Sequence, residues 1–130
     1  ALKFVQVHHY SCTDIYDVAA KMLAQIPKIG RRPRRLIITR GKNPTIVASK
    51  WVGHGVKVEL FPVNPLDDAQ VLDRYGVGDA FVGGFLYGLL RDLSLDGCMM
   101  YAQYAARHVL TKSLCTFDFA DKPEMPKGAI

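Results

Sequence analysis

Apolar residues near the start of the chain recur every three or four positions. They are Ile15, Val18, Ala19, Met22, Leu23 and Ile26. This spacing predicts an amphipathic helix over residues 13–26, with Ser11 or Thr13 as its N-cap and Pro27 ending it. Ahead of this helix, residues 3–8 are predicted to form a short strand.

The middle of the chain is typical of short β-strands. Residues 36–39 predict a buried strand, and residues 45–49 predict a second one. Because the intervening residues 40–44 contain Gly and Pro, the two strands are expected to form a hairpin. Residues 56–61 alternate between apolar and polar like a further strand, whereas residues 62–72 are expected to be an irregular connection.

The pattern becomes helical in the last third of the chain. A helix is predicted over residues 79–93, entered through a glycine turn at residues 76–78. Asp96 is predicted to cap a second helix that runs to about residue 112. The proline-containing tail beyond Cys115 is expected to be mostly irregular.

Size and composition indicate one globular domain. The chain has 130 residues, of which 49% are hydrophobic and 22% charged. No apolar stretch reaches the roughly 18 residues that a transmembrane helix needs, and no signal-peptide pattern is visible. The three cysteines have no CxxC spacing, which favours a reducing, cytoplasmic location and gives no zinc signature.

The positive charge is concentrated in one segment. The formal net charge is +5, and residues 28–35 supply much of the excess. Gly30 and Pro33 interrupt this run, so it is expected to be a solvated linker. A nucleic-acid site would interleave aromatic side chains for base stacking, and the run has none, so a nucleic-acid partner is not expected.

Candidate chemistry lies in residues 73–79, which read Asp-Arg-Tyr-Gly-Val-Gly-Asp. The two glycines allow a tight turn directly before a helix. The first N–H groups of a helix lack intrahelical acceptors and carry the positive end of its dipole, so they can bind a phosphate or a developing anion. Residues 76–78 would then form a phosphate cradle at the start of the helix. Asp79 would lie at its opening, able to accept a proton from a substrate hydroxyl. The alternative is an ordinary turn with Asp in the first helical turn.

Two adjacent glycines, Gly83 and Gly84, follow inside the same predicted helix. Together they cost about 1–2 kcal/mol of helix propensity, so another group is expected to approach closely there. Tight packing against a strand and close approach of a ligand both fit this pattern.

Residues 76–86 as a whole, Gly-Val-Gly-Asp-Ala-Phe-Val-Gly-Gly-Phe-Leu, resemble the second signature of the ribokinase-like (pfkB) sugar kinases, and among these most closely the adenosine kinases. Residues 38–46 are similar to the Thr-x-Gly strand-turn that the family places near its nucleotide. Residues 104–106 lie in the matching C-terminal helix. Residues 115–117, followed by Lys122 and Pro123, are similar to the adenosine kinase ending. The four matches occur in the family's order across nearly the whole chain.

The resemblance implies an α/β fold, namely the C-terminal part of a ribokinase-like three-layer α/β/α domain, with residues 1–130 as its nucleotide-side part. It also implies transfer of the γ-phosphoryl group of ATP to the 5′-hydroxyl of adenosine, giving AMP. Magnesium would arrive with the nucleotide, with no direct metal ligand from this chain. The sheet is expected to expose one face, which the rest of a kinase chain or a protein partner would cover.

The resemblance also assigns the catalytic groups. Asp79 matches the catalytic base, and Gly76, Val77 and Gly78 match the anion hole around the transferred phosphoryl group. Because phosphoryl transfer depends mainly on positioning and charge stabilisation, a base and a preorganised cradle are a sensible minimum set of groups for catalysis.

The remaining site residues follow by the same matching. Thr39 and Gly41 match the nucleotide-binding turn. Gln103 is assigned to the nucleotide site, at a position where His is common. Asp73 opens the signature where the family often coordinates a monovalent cation, which would be potassium.

The signature departs from the family pattern at three positions. Arg74 and Tyr75 stand where the family has Thr followed by Asn or Gly, and Val77 replaces a customary Ala. These larger side chains leave open an alternative function, in which the chain is a catalytically impaired kinase-like module in a larger assembly.

Overall fold

A computed structural model of the chain describes residues 15–27 and 30–113. Its elements in chain order are helix α1 (Ile15–Gln25), strands β1 (Arg34–Arg40), β2 (Asn43–Lys50) and β3 (Val56–Phe61), a short 3-10 helix (Asp68–Gln70), and helices α2 (Val77–Leu90) and α3 (Leu95–Leu110). They form two compact units, and the boundary between them along the chain lies between Val63 and Asn64. The predicted strand at residues 3–8 and the tail beyond Cys115 lie outside the described residues.

The first unit contains α1 and an antiparallel sheet with the strand order β1-β2-β3. Leu36 of β1 pairs with Ala48 of β2, and Ala48 pairs in turn with Val58 of β3. The predicted helix is confirmed from Ile15 to Gln25, whereas its predicted N-caps, Ser11 and Thr13, lie outside the described residues. The hairpin and the third strand are also confirmed. Together with the helices of the second unit, they confirm the α/β class.

Helix α1 packs on the central strand. Ala19 and Leu23, one helical turn apart, form a buried cluster with Ile46 and Ala48 of β2. All four side chains are at most 2% exposed. Because alternate residues of a strand point to the same face, Ile46 and Ala48 define the sheet face that α1 covers.

The other face of β2 is also buried, contrary to the expectation of an exposed sheet face. Thr45, Val47 and Ser49 alternate with the residues that face α1, and each is at most 2% exposed. On this face Val47 is flanked by its pairing partners, Ile37 of β1 and Glu59 of β3. The expectation is therefore wrong at the centre of the sheet.

The sheet is longer than predicted, and its first strand includes the last two residues of the basic run. Arg34 and Arg35, expected in a linker, are the first residues of β1, because Arg34 pairs with Lys50 at the end of β2. Arg34 Nη1 also donates to the carbonyl oxygen of Pro27 at 2.6 Å. Lys50 Nζ donates to the carbonyl oxygen of Ala24 at 2.8 Å, which places a cation at the negative end of α1.

The second unit is built around helices α2 and α3. Helix α2 ends at Leu90, three residues before the predicted limit. Asp92 adopts a left-handed conformation with φ of 53°. The N–H of Leu93 then donates to the carbonyl oxygen of Gly88 at 3.0 Å, and that of Asp92 to Leu89 at 3.1 Å. These two bonds form a Schellman motif, which closes the helix.

The predicted cap of α3 is wrong by two residues. Ser94 is the N-cap, and its hydroxyl accepts the N–H of Gly97 at 3.2 Å. Asp96 lies inside the first turn, where its charge still favours the helix dipole. The helix ends at Leu110, where residue 112 was predicted.

Candidate functional site

The phosphate cradle predicted at residues 76–78 is the N-terminus of α2. Gly76 is the N-cap, with φ of 72° and ψ of 0°, a left-handed conformation that glycine adopts readily. The N–H of Ala80 donates to the carbonyl oxygen of Gly76 at 2.8 Å and opens the helical ladder. Gly76 thus makes the turn, whereas Gly78, which was expected to share it, lies inside the helix.

The residues just before this turn are ordered by Asp73. Its Oδ1 accepts the backbone N–H of Tyr75 at 3.0 Å, which closes a short loop directly ahead of Gly76. Arg74 and Tyr75, the large departures from the family pattern, are both exposed, Tyr75 at 79%.

The first turn of α2 has the electrostatics of an anion site. Its N-cap, Gly76, provides no side-chain hydrogen bond, and the first N–H groups of a helix lack intrahelical acceptors and carry the positive end of the dipole. A β-carbon built on Gly78 would meet no atom within 4 Å, so there is open space beside the backbone. Asp79 is exposed in the same turn. The arrangement can bind an anion and offer a carboxylate as proton acceptor within one helical turn.

Close helix packing accounts for only one of the two adjacent glycines. A β-carbon on Gly84 would come within 2.8 Å of the carbonyl carbon of Tyr101 and 2.9 Å of the α-carbon of Ala102, both on α3. Around Gly83, by contrast, there is open space. Gly84 is therefore tightly packed, but against helix α3 and not against the strand that was expected, whereas Gly83 has no such packing. Close approach of a ligand to Gly83 stays a prediction.

A third glycine, Gly88, also positions α2 and was not among the predicted site residues. A β-carbon on Gly88 would come within 2.7 Å of the α-carbon of Cys98. Gly84 and Gly88 are one helical turn apart, as are Cys98 and Ala102 opposite them. That shared spacing of small residues was the signal that could have revealed the contact. Tyr87 adds a ring contact with Tyr101, with centroids 5.0 Å apart.

The predicted site residues are divided between the two units. Asp73, the cradle and Asp79 follow one another in the second unit, in the loop before α2 and its first turn, and Gln103 lies half-buried in α3. Thr39 and Gly41 belong to the first unit. Thr39 is exposed where the pairing of β1 with β2 shifts register, and Gly41 makes the hairpin turn with φ of 60°.

Two further properties of the described chain bear on its ligands. None of its helices is long and apolar enough to cross a membrane. Between residues 15 and 113, leaving out 28 and 29, no cluster of three or more His, Cys, Asp or Glu side chains could hold a metal ion.

Comparison with known proteins gives consistent matches. Residues 6–122 match the family described as pfkB family carbohydrate kinase. The chain is 36% identical over 127 residues to adenosine kinase 2 of Arabidopsis thaliana, covering 97% of this chain and 34% of that protein. It thus spans about a third of the length of such relatives.

Solved structures give the same result. A crystal structure of Anopheles gambiae adenosine kinase in complex with P1,P4-di(adenosine-5) tetraphosphate superposes with a TM-score of 0.69 at 36% identity, covering 78% of this chain and 29% of the other. Adenosine kinase from Schistosoma mansoni in complex with 2-fluoroadenosine has a TM-score of 0.67 at 29% identity, with the same coverage of 78% and 29%.

Proposed function

The chain belongs to the pfkB family of carbohydrate kinases, and from that premise we propose that the protein carrying it transfers the γ-phosphoryl group of ATP to the 5′-hydroxyl of adenosine. The observation that carries the proposal is the placement of Asp79 in the first turn of a helix whose N-cap is a glycine. The ribokinase-like α/β fold is shared with the adenosine kinase structures. The similarity to adenosine kinases over nearly the whole chain supports adenosine as the acceptor.

In the proposed reaction Asp79 is the general base. Its carboxylate accepts the proton of the 5′-hydroxyl as the oxygen attacks the γ-phosphorus. The bond between that phosphorus and the β,γ-bridging oxygen breaks, and ADP leaves with the electron pair. Backbone N–H groups at Gly76, Val77 and Gly78 would stabilise the negative charge on the transferred group. These donors are held by the backbone before substrate binds, so they need little reorganisation.

The other assignments concern nucleotide and ions. Thr39, Gly41 and Gln103 would bind the nucleotide, as their match to the family suggests. Asp73 would hold a potassium ion, and its bond to the Tyr75 N–H is compatible with this, because a carboxylate accepts several interactions. Magnesium would bind with the phosphates of ATP and neutralise their charge.

The test is a phosphorylation assay on the natural full-length protein that carries this sequence, with its intact mass measured first. Adenosine, ATP and magnesium are incubated with the protein, and AMP and ADP are separated by chromatography. Equal amounts of AMP and ADP, both abolished by a chelator of magnesium, are expected. ATP hydrolysis without AMP formation, or no turnover, would refute the proposal. Cytidine and ribose as competitors determine whether adenosine is the preferred acceptor.

A further inference from the structure

The connector, residues 64–72, is the nine-residue segment that leads to the cradle. Apart from its one turn of 3-10 helix, the connector has no regular structure, so its backbone polar groups need other partners. Within the connector, the N–H of Gln70 donates to the carbonyl oxygen of Asp67 at 2.9 Å, and the side chain of Gln70 accepts the N–H of Asp67 at 3.1 Å. Leu66 is its buried apolar anchor, at 8% exposure.

Helix α3 holds the connector at both ends. At the entrance, Arg107 Nη1 donates to the carbonyl oxygen of Asn64 at 2.8 Å and, more weakly, to that of Pro65 at 3.4 Å. At the exit, the N–H of Leu72 donates to the carbonyl oxygen of Leu110 at 2.9 Å. Arg107 and Leu110 are three residues apart, so the last turn of α3 supplies both attachments.

The exit of the connector is followed at once by the site. Asp73 is the next residue, and its carboxylate orders the turn that leads to Gly76. The path of the connector therefore determines where this turn begins. The bond at Leu72 is made by backbone groups, whereas the attachment at the entrance depends on a side chain. That side chain can be removed without touching the cradle.

We propose that Arg107 is a positioning residue of the phosphate cradle, acting through the connector it holds against α3. This inference rests on the proposed function for its kinetic consequence but not for its structural one. Loss of the Arg107 bonds releases the entrance of the connector, so the bond at Leu72 no longer has a second attachment upstream and the turn at Asp73 can shift. The donors at the start of α2 then lose their alignment with the transferred phosphoryl group.

The experiment uses the natural full-length protein with Arg107→Met, which keeps the aliphatic stem and removes every N–H donor. Because ångström-scale misplacement costs orders of magnitude in rate, kcat should fall about tenfold or more while KM for adenosine changes less than about twofold. Arg107→Lys keeps one charged donor group and should restore most of kcat. Arg91→Met removes an exposed arginine at the C-cap of α2 and is the matched control.

Hydrogen exchange of the same variants provides a readout that does not depend on activity. Backbone amides of residues 64–79 should exchange faster in Arg107→Met and close to wild type in Arg107→Lys. Unchanged exchange, or an equal loss of kcat in Arg91→Met, would overturn the inference. If the wild-type protein does not phosphorylate adenosine, the proposed function fails, and the exchange data still decide whether Arg107 holds the connector.

Discussion

Gly88 of α2 lies against Cys98 of α3 so closely that a β-carbon at position 88 would come within 2.7 Å of the Cys98 α-carbon and 3.0 Å of its sulfur. Gly84 has the same relationship with Ala102, one helical turn further along. Small residues on both helices thus permit the close approach. This contact determines where α2 lies on α3, and the first turn of α2 carries Asp79.

Gly88→Ala is expected to destabilise the protein. The new methyl group would collide with the backbone of α3, which cannot move away as a flexible side chain could, and overpacking of this kind costs about 1–3 kcal/mol. Gly83→Ala is the control, because its methyl group meets open space and a better helix former adds up to about 1 kcal/mol of stability. Urea unfolding measures both variants. Equal unfolding free energies would contradict the close contact.

Asp79→Asn is expected to remove turnover while leaving ATP binding largely intact. The amide cannot accept the hydroxyl proton, and loss of a general base costs about a hundredfold or more in kcat. Asp96→Asn makes the same charge change in the first turn of α3 and should retain activity. Phosphorylation kinetics and ATP titration provide the two measurements. Activity of Asp79→Asn above about a few per cent of wild type would exclude Asp79 as the base, because so small a loss is below that of a general base.

Gly78→Ala should reduce catalysis without reducing stability. Gly78 lies in the helix, and its β-carbon would meet no protein atom within 4 Å, so the fold accommodates alanine. The methyl group would lie beside the proposed anion hole and hinder binding of the ATP phosphates there. A raised KM for ATP or a lowered kcat is expected, with a melting temperature no lower than that of wild type. Gly83→Ala in the same helix should keep wild-type kinetics, and wild-type kinetics in both variants would argue against a phosphate at Gly78.

Ser94→Ala should cost more stability than Asp96→Ala. The hydroxyl of Ser94 accepts the N–H of Gly97, and loss of such a cap costs about 0.5–2 kcal/mol. Asp96 contributes through the helix dipole, which is worth about 0.3–1 kcal/mol at an exposed position. Chemical unfolding of the two variants separates these roles. Ser94→Asp should recover the stability, since Asp is also a good N-cap. A larger loss of stability in Asp96→Ala than in Ser94→Ala would instead support Asp96 as the cap.

Several features could be read from local sequence because their causes are local. The apolar spacing of α1 and the short strands around a Gly-containing turn predict their elements directly, and the structure confirms them. The predicted ends of the elements were less accurate. Ser94 and Asp96 are both good cap residues, and the choice between them depends on where the chain leaves the Schellman turn at Asp92.

The sequence by itself determined the candidate chemistry: a carboxylate directly after a glycine turn, at the start of a helix, within a recognisable family signature. These features are adjacent along the chain, so no tertiary information was needed to associate them. Tertiary structure decided that Gly84 and Gly88 pack against helix α3, a partner that the sequence analysis did not name, and that Arg107 reaches back 43 residues to Asn64. It also decided that both faces of β2 are buried. Such contacts join residues distant in sequence, and their partners follow from how helices and strands pack.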